Sequence, residues 1–549
     1  MRTGGQILVD QLRAQGVERV TCVPGESYLA ALDAMYDNDI DVLICRHEGG
    51  AAMMAEAYGK LTNRPGVCFV TRGPGAMNAA HGVHIAQHDS TPMILFIGQV
   101  ERAMRGRGAF QEMDYEAVFG STAKWVVEID DARRIPEIVA RAFREAMQGR
   151  PGPVVVSLPE DVLTDLAEVI DAPYVAPARP ELSMDVFQQV EAHLKGAKRP
   201  LIILGGSCWS DDGVAAIQDF AARWKLPVAT EFRRAGLFDA LHPSYAGDLG
   251  FGQNPKLSQR VRDADLLILI GARMAEVPSS SYTLIDSPTP QQTLIHVFPD
   301  AGEIGKVYQP SPGVVCAPDE FARSLTWLKA PLDLPWTEAT ENAHMEYLAW
   351  TGQPAVLPGE FQYGEAMVSL RNLLPADTII CNGAGNYAIW VHRYWRHRLP
   401  RTQLAPTSGS VGYSVPAGIM AKRQCPDKTV VVFAGDGCFL MHGNEFATAV
   451  QYDIPVLIVV IDNGMYGTIR MHQERNYPHR VVGTDLKNPD FAAYARAFGG
   501  HGETVRTTAE FLPAFERARA SNKPAILHCF LDPQAITPAT TLDAISNQK

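Results

Sequence analysis

The sequence lacks the closely spaced cysteine pairs that hold structural zinc or build disulfide frameworks. Its nine cysteines are scattered over 549 residues and include no Cys-x-x-Cys pair. An odd number of thiols, mostly flanked by apolar residues, favours reduced and buried cysteines in a cytosolic protein. A small disulfide-stabilised secreted fold is therefore excluded.

Long hydrophobic runs and basic clusters are also missing. The longest strongly apolar run, 456–461, is far shorter than the ~20 residues that a membrane-spanning helix needs. The residues after Met1 lack the apolar segment of a secretion signal. Acidic residues number 61 against 49 basic ones, which gives a formal net charge of −12 without a basic patch for nucleic acid. We expect a cytoplasmic protein that binds neither membrane nor nucleic acid.

What the sequence does contain is a repeated alternation of β-branched runs with helix-length segments. A chain of 549 residues, 46% of them hydrophobic, is too long for a single hydrophobic core. The alternation predicts an α/β fold of three doubly wound parallel-sheet domains, at 1–170, 185–330 and 360–535. Proline-containing connectors are predicted at 171–184 and 330–359. The predicted strands are 20–23, 42–45, 67–71, 93–98, 154–157, 201–205, 227–230, 266–271, 294–297, 378–381, 429–434, 456–461 and 525–530.

Two polar clusters follow neighbouring apolar runs of the third block, at Gly435-Asp436-Gly437 and Asp462-Asn463-Gly464. Ligands of parallel sheets bind beyond the carboxyl ends of the strands, where both clusters fall. Glycines 435 and 437 allow the backbone to approach a phosphate. Asp436, Asn463 and the carbonyl of Met465 are hard oxygen donors that suit Mg²⁺ on a diphosphate. Taken singly, each cluster is more simply interpreted as a structural turn.

Together the two clusters resemble the signature of thiamine-diphosphate enzymes, because 25 residues (438–462) separate Gly437 from Asn463. The resemblance extends over about residues 1–535 and is to the acetolactate-synthase branch of that superfamily. The further segments that carry it are RHEGGAAMMAEAYGKLTNRPGVCFVTRGPGAMNAAHGV (46–83), DSTP (89–92), AFQEMD (109–114) and GSVGYSVPAG (409–418). It implies a pyrimidine-binding domain, a Rossmann-like middle domain and a diphosphate-binding domain, with thiamine diphosphate and Mg²⁺ as cofactors.

The resemblance also assigns roles around the cofactor. Glu48, just after the run 42–45, would protonate the aminopyrimidine ring, although a charge at a helix start is the simpler interpretation of this residue alone. Val411 would wedge between the two rings of the cofactor, and the carbonyl of Gly409 would accept a hydrogen bond from its amine. Val411 alone would equally suit core packing.

Residues that handle the substrate are less clearly marked. The resemblance places Gln111 in the pocket, contributed by the partner chain, and Lys124 near it. A solvated surface lysine is an equally good interpretation of Lys124. His88 is a further catalytic candidate because it precedes the loop 90–92 at an expected edge of the active site.

Two departures separate this chain from acetolactate synthases. Val277 stands where the family carries an arginine for the carboxylate of the second oxo acid. His472 lies where the family carries a tryptophan that favours 2-oxobutanoate as acceptor. The middle block leaves FAD uncertain, since Gly205-Gly206 can be either a nucleotide turn or a plain connector, and Arg273 can meet either a phosphate or an aspartate.

We expect an enzyme that decarboxylates a 2-oxo acid and transfers the acyl group to an acceptor carbonyl, as acetolactate synthases do. The alternatives are a decarboxylase without carboligation, similar to benzoylformate decarboxylase, a 2-hydroxyacyl-CoA lyase, and a cofactor-binding protein without catalysis. The resemblance further implies a homodimer or homotetramer with active sites shared between chains.

Overall fold

The computed structural model describes residues 1–547 and contains three six-stranded sheets whose neighbouring strands are all parallel. The strands are β1 Arg19–Cys22, β2 Asp41–Ile44, β3 Gly66–Val70, β4 Met93–Gln99, β5 Trp125–Glu128, β6 Pro153–Pro159, β7 Pro200–Leu204, β8 Val228–Thr230, β9 Tyr245–Asp248, β10 Leu266–Ile270, β11 Thr293–Phe298, β12 Gly313–Val315, β13 Ile379–Asn382, β14 Gln403–Leu404, β15 Val430–Gly435, β16 Leu457–Asp462, β17 His501–Val505 and β18 Ala525–Phe530. The orders are β2-β1-β3-β4-β6-β5, β9-β8-β7-β10-β11-β12 and β14-β13-β15-β16-β18-β17. The predicted fold class is confirmed.

Helices connect the strands, as parallel pairing requires. The α-helices are Gly4–Ala14, Leu29–Tyr36, Glu48–Thr62, Gly73–Asp89, Tyr115–Phe119, Ile135–Met147, Glu160–Thr164, Met184–Gly196, Asp211–Trp224, Pro255–Asp263, Pro318–Leu325, Thr337–Trp350, Tyr363–Leu373, Tyr387–Tyr394, Ser414–Gln424, Asp436–His442, Phe446–Gln451, Gly467–Asn476, Phe491–Ala497, Thr508–Ala520 and Leu542–Ser546. Within the described residues, no helix has the length and apolar character needed to cross a membrane.

The central strands are apolar along their whole length because both faces of each sheet are covered. In the middle sheet, Ile202 and Leu204 enter one hydrophobic core, whereas Leu201 and Ile203 enter another. Successive side chains of a strand point to opposite faces, so two cores require an unbroken apolar run. All nine cysteines are free thiols, and seven of them are buried, as predicted.

The chain folds into two compact units that do not follow the chain in order. Unit 1 comprises 1–178, 415–426 and 442–454, and unit 2 comprises 179–414, 427–441 and 455–549. Within unit 1, the two late segments dock on the edge strand β2. Asp41 pairs with Arg423 at 3.0 Å, and the hydroxyl of Tyr452 accepts a hydrogen bond from Ile44 N at 3.0 Å. The three domain ranges drawn from sequence stay a prediction.

One predicted connector is wrong in part, because 330–359 contains the helix Thr337–Trp350. Its prolines lie outside this helix, and Trp336 and Tyr347 enter the core of the middle sheet. The interpretation as a linker gave too much weight to the flanking prolines. By contrast, 171–183 has no regular secondary structure, as expected of a connector.

Candidate active site

Seven residues predicted to bind the cofactor line one cavity of about 290 Å³ in unit 2. They are Gly409, Val411, Gly435, Asp436, Gly437, Asn463 and Met465. The cavity lies at the carboxyl ends of the adjacent strands β15 and β16, which is where parallel sheets bind ligands. Apolar side chains, including Ile461 and Leu531, complete its wall.

The glycines of this cavity are needed because larger residues would not fit. A Cβ on Gly435 would lie 2.9 Å from a ring carbon of Tyr387, and one on Gly437 would lie 2.6 Å from a ring carbon of Tyr466. Gly409 has a φ of +70°, a backbone conformation that glycine adopts without strain. The bare backbone can therefore approach a phosphate closely.

Asp436 is the first residue of the helix after β15, and hydrogen bonds fix its carboxylate. Oδ1 accepts from Gly437 N at 2.9 Å, and Oδ2 accepts from Asn488 Nδ2 at 2.7 Å. The same Nδ2 donates to Asp462 Oδ1 at 2.8 Å, and Asp462 Oδ2 lies 2.8 Å from His528 Nε2. Sequence reasoning missed the roles of Asn488 and His528, because no local pattern connects them to Asp436.

The electrostatics of this cluster fit a divalent cation. Burial raises the pKa of Asp436, and the carboxylate of Asp462 adds to the rise. Burial also opposes the charge on Asp462, but hydrogen bonds from His528 and Asn488 outweigh it and lower the pKa of Asp462. Asn488 Oδ1 is buried with no hydrogen-bond partner among residues 1–547. A cation here would stabilise the ionised form of Asp436 and meet an oxygen-rich donor set.

Amide, carbonyl and diphosphate oxygens would have to complete the coordination of such an ion. Among residues 1–547, no group of three or more His, Cys, Asp or Glu side chains is arranged to hold a metal. Mg²⁺ commonly combines one or two carboxylates with phosphate oxygens, so the predicted set Asp436, Asn463 and Met465 carbonyl is chemically sufficient.

Glu48 lies in unit 1, at the start of the helix that follows the edge strand β2. Its Oε2 accepts a hydrogen bond from Asn78 Nδ2 at 2.9 Å. Its Oε1 lies 3.3 Å from the position that a Cβ on Gly75 would take. The half-buried carboxyl therefore faces the first turns of the helix Gly73–Asp89, at the carboxyl edge of the first sheet.

The structure brings Gln111 to the same helix start. Gly73 N donates to Gln111 O at 3.1 Å, and Gln111 has a φ of +63°. The carboxylate of Glu112 holds this loop by accepting hydrogen bonds from Gly106 N at 2.6 Å and Ala109 N at 3.1 Å. Glu48 and Gln111 thus flank the same turn of unit 1.

His88 and Lys124 do not lie at the start of the helix Gly73–Asp89, where Glu48 and Gln111 meet. His88 is exposed in the last turn of Gly73–Asp89, about 15 Å along the helix from Asn78 at ~1.5 Å per residue. Its ring packs on that of His84, with 4.4 Å between centroids. Lys124 Nζ donates to the carbonyls of Glu145 and Gln148 at the end of the helix Ile135–Met147. Lys124 therefore binds the carbonyl groups at a helix end. His88 and Glu48 lie at opposite ends of the helix Gly73–Asp89.

In the crevice of the middle sheet, two backbone donors that a flavin diphosphate could use are already bonded within the chain. At the carboxyl ends of β7 and β10, a Cβ on Gly206 would lie 2.6 Å from Gly271 O, so the two turns are in contact. The buried carboxylate of Glu231 accepts from Arg273 N at 3.1 Å and Met274 N at 2.8 Å. These two backbone donors are already used, and the guanidinium groups of Arg273 and Arg234 act on the same carboxyl. We derive no step through a flavin.

Comparison with known proteins agrees with this geometry. Three family models match: the N-terminal TPP binding domain of thiamine pyrophosphate enzymes at residues 2–118, their central domain at 187–325, and their C-terminal TPP binding domain at 383–529. Together these ranges cover more than half of the chain.

Curated relatives match over most of their length. The acetolactate synthase isozyme 2 large subunit of Escherichia coli (strain K12) is 31% identical over 96% of this chain and 95% of the relative. The acetolactate synthase large subunit of Corynebacterium glutamicum is 31% identical, covering 96% and 86%. That of Parasynechococcus marenigrum is 32% identical, covering 92% and 83%. The chain therefore belongs to the thiamine pyrophosphate enzyme family, in which it is an acetolactate synthase-like enzyme with thiamine-diphosphate-binding domains at both ends.

Proposed function

We propose that this enzyme decarboxylates a 2-oxo acid and joins the remaining acyl group to the carbonyl carbon of an acceptor. The observation that carries the proposal is the unit 2 cavity, which gathers Asp436, Asn463 and Met465 beside the glycines of the diphosphate motif. Bound thiamine diphosphate supplies the nucleophilic carbon and the electron sink that this decarboxylation needs. The residues position the cofactor, exclude water and move protons.

The diphosphate end is assigned to unit 2. Gly435 and Gly437 would leave room for the phosphate groups, and Asp436, Asn463 and the Met465 carbonyl would hold Mg²⁺. Asn488 keeps the Asp436 carboxylate oriented through its 2.7 Å hydrogen bond. Gly409 and Val411 shape the part of the cavity that receives the rings. Val411 is partly buried against the core of the third sheet, which gives the wedge a firm support.

Glu48 is assigned as the acid that protonates the pyrimidine ring. Its Oε2 is occupied by Asn78, so Oε1 is the oxygen that we assign to the ring nitrogen. In this role Glu48 would hold a proton at Oε1 and share it with the bound cofactor, whose activation would depend on that proton. Gln111, on the same turn, is assigned to the substrate.

Carboligation is favoured because the relatives at 31–32% identity are acetolactate synthases. In this reaction the bond to the carboxylate breaks, carbon dioxide leaves, and the electron pair forms a new carbon–carbon bond while a proton goes to the acceptor oxygen. The apolar wall of Ile461 and Leu531 would keep water from taking the place of the acceptor.

Product analysis with a panel of 2-oxo acids tests the proposed function. Because Val277 and His472 replace acceptor-binding residues of the resembled family, the panel should pair pyruvate with pyruvate, 2-oxobutanoate and aldehydes in turn. We expect carbon dioxide release with a carbon–carbon coupled product, detected by mass spectrometry. Free aldehyde alone would show a simple decarboxylase, and turnover only with 2-hydroxyacyl thioesters would show a lyase.

We further propose that each active site is shared between two chains of a homodimer, or of a tetramer built from dimers. Exposed large apolar side chains in both units support this proposal. Met77 and Phe110 in unit 1 are 50% and 73% exposed, and Leu440 and Ile469 in unit 2 are 48% and 54% exposed. Apolar surface of this kind marks interfaces, and a two-fold interface creates two equivalent sites.

Mixing two inactive variants should restore activity if sites are shared. In a heterodimer of Glu48→Gln and Asp436→Ala chains, one site carries both changes and the other carries neither. We expect about half of the wild-type activity per heterodimer, measured after subunit exchange verified by native mass spectrometry. Each variant alone is the control, and heterodimers that stay inactive would show that one chain builds a whole site.

A further inference from the structure

A buried carboxylate reaches the backbone just before Glu48 from a distant part of the sequence. Glu445 lies nine residues after Asp436, yet it belongs to the segment 442–454 that packs within unit 1. Its side chain is fully buried. Neither the cofactor motif nor the proposed proton transfer gives Glu445 a role.

Glu445 accepts hydrogen bonds from both backbone N–H groups that precede Glu48. Its Oε1 lies 3.0 Å from Arg46 N and 2.9 Å from His47 N. Its Oε2 accepts from Thr448 Oγ1 at 2.6 Å, which orients the carboxylate. Burial raises the pKa of Glu445, and the hydrogen bonds from Thr448, Arg46 and His47 oppose that rise. In either protonation state Oε1 can accept from both N–H groups, so this contact fixes the turn.

The turn needs such a partner because β2 is an edge strand. Among residues 1–547, no strand pairs with its outer backbone groups. The hydroxyl of Tyr452 meets two of them, accepting from Ile44 N at 3.0 Å and donating to Val42 O at 3.2 Å. Cys45 N points inward and donates to Cys22 O on β1 at 2.8 Å, whereas Glu445 accepts from the two N–H groups that follow it, those of Arg46 and His47. Side chains of the segment 442–454 thus form the hydrogen bonds that a neighbouring strand would otherwise supply to β2.

The Glu445 carboxylate packs directly against Gly50. A Cβ on Gly50 would lie 2.4 Å from its Oε1 and 2.8 Å from its Cγ and Cδ. Gly50 sits in the first turn of the helix that Glu48 begins. The carboxylate is therefore clamped between the turn that it binds and the helix that follows.

We propose that Glu445 is a positioning residue that fixes the Arg46–His47 turn and thereby places the carboxyl of Glu48. This inference rests on the proposed function, because it assumes that Glu48 protonates the cofactor. Glu445 itself touches neither cofactor nor substrate. A displacement of about 1 Å at a reacting group lowers rates by up to ~10²-fold, which is the size of effect expected here.

Two measurements on Glu445→Ala test the inference. Without cofactor, deuterium uptake in the peptide 44–50 should rise, as measured by mass spectrometry, because Arg46 N and His47 N lose their acceptor. With thiamine diphosphate bound, exchange of its C2 hydrogen should slow by ~10–100-fold, and kcat should fall while KM stays unchanged. Gly50→Ala should reproduce both effects, because its methyl group would displace the same carboxylate.

Conservative and control variants separate positioning from simple stability. Glu445→Gln keeps an oxygen for both N–H groups and should restore C2 exchange to within about threefold of wild type. Tyr452→Phe removes a hydroxyl from the same segment and should lower the melting temperature without slowing exchange. Unchanged exchange in both Glu445→Ala and Gly50→Ala would overturn the inference. Unchanged exchange in Glu48→Gln would instead overturn the proposed function.

Discussion

Glu48→Gln is expected to lower turnover by ~10²–10⁴-fold, the usual contribution of a positioned acid or base. The amide has nearly the shape of the carboxyl and can still accept the hydrogen bond that Asn78 Nδ2 donates at 2.9 Å. The fold and the turn therefore stay intact, and only the proton donor is lost. Steady-state carbon dioxide release measures the effect, with circular dichroism as the check on folding.

A matched control for this variant is Glu116→Gln. Glu116 is an exposed carboxyl of the same unit, in the short helix Tyr115–Phe119, and it should keep wild-type turnover. Turnover of Glu48→Gln within twofold of wild type would contradict the assignment of Glu48.

Asp436→Ala should weaken binding of thiamine diphosphate by at least ~100-fold. The cation would lose its charged protein ligand while the two phosphate groups keep their negative charge. Asn488 would also lose one of its two carboxylate partners, so the ligand cluster would loosen. Titration of tryptophan fluorescence with the cofactor, with Mg²⁺ or with EDTA, measures the loss.

Wild-type protein in EDTA should bind as weakly as Asp436→Ala, and Mg²⁺ should rescue only the wild type. Asp427→Asn is the matched control, because Asp427 is exposed and precedes β15 at the end opposite Asp436. Equal affinity of Asp436→Ala and wild type in Mg²⁺ would remove Asp436 from the site.

The central strands were predictable from sequence, whereas β2 was the one edge strand of the three large sheets that was predicted. All thirteen predicted strands occur, with bounds that shift by one or two residues. Within the three six-stranded sheets, the strands that were missed are β5, β9, β12, β14 and β17, and each lies at the edge of its sheet. β5 is only partly buried at every position, so it lacks the continuous apolar run that marks a strand covered on both faces.

The gathering of the motif residues in one cavity was also predictable, since local spacing encodes it. Gly437 and Asn463 follow adjacent strands of one sheet, and strand ends that are adjacent in a parallel sheet must lie close together. His88 shows the limit of such reasoning. It precedes a loop in sequence, but the helix carries it to the end opposite Glu48.

The sequence by itself determined the three α/β blocks, the family and the residues that we assign to the cofactor, because apolar periodicity and motif spacing are local properties of the chain. Only the tertiary structure decided which side chains support those residues. Asn488 reaches Asp436 across 52 positions, and Glu445 reaches His47 across 398. The physical reason is that a buried carboxylate needs donors and a bare edge N–H needs an acceptor, and any residue that the fold brings within 3 Å can supply them.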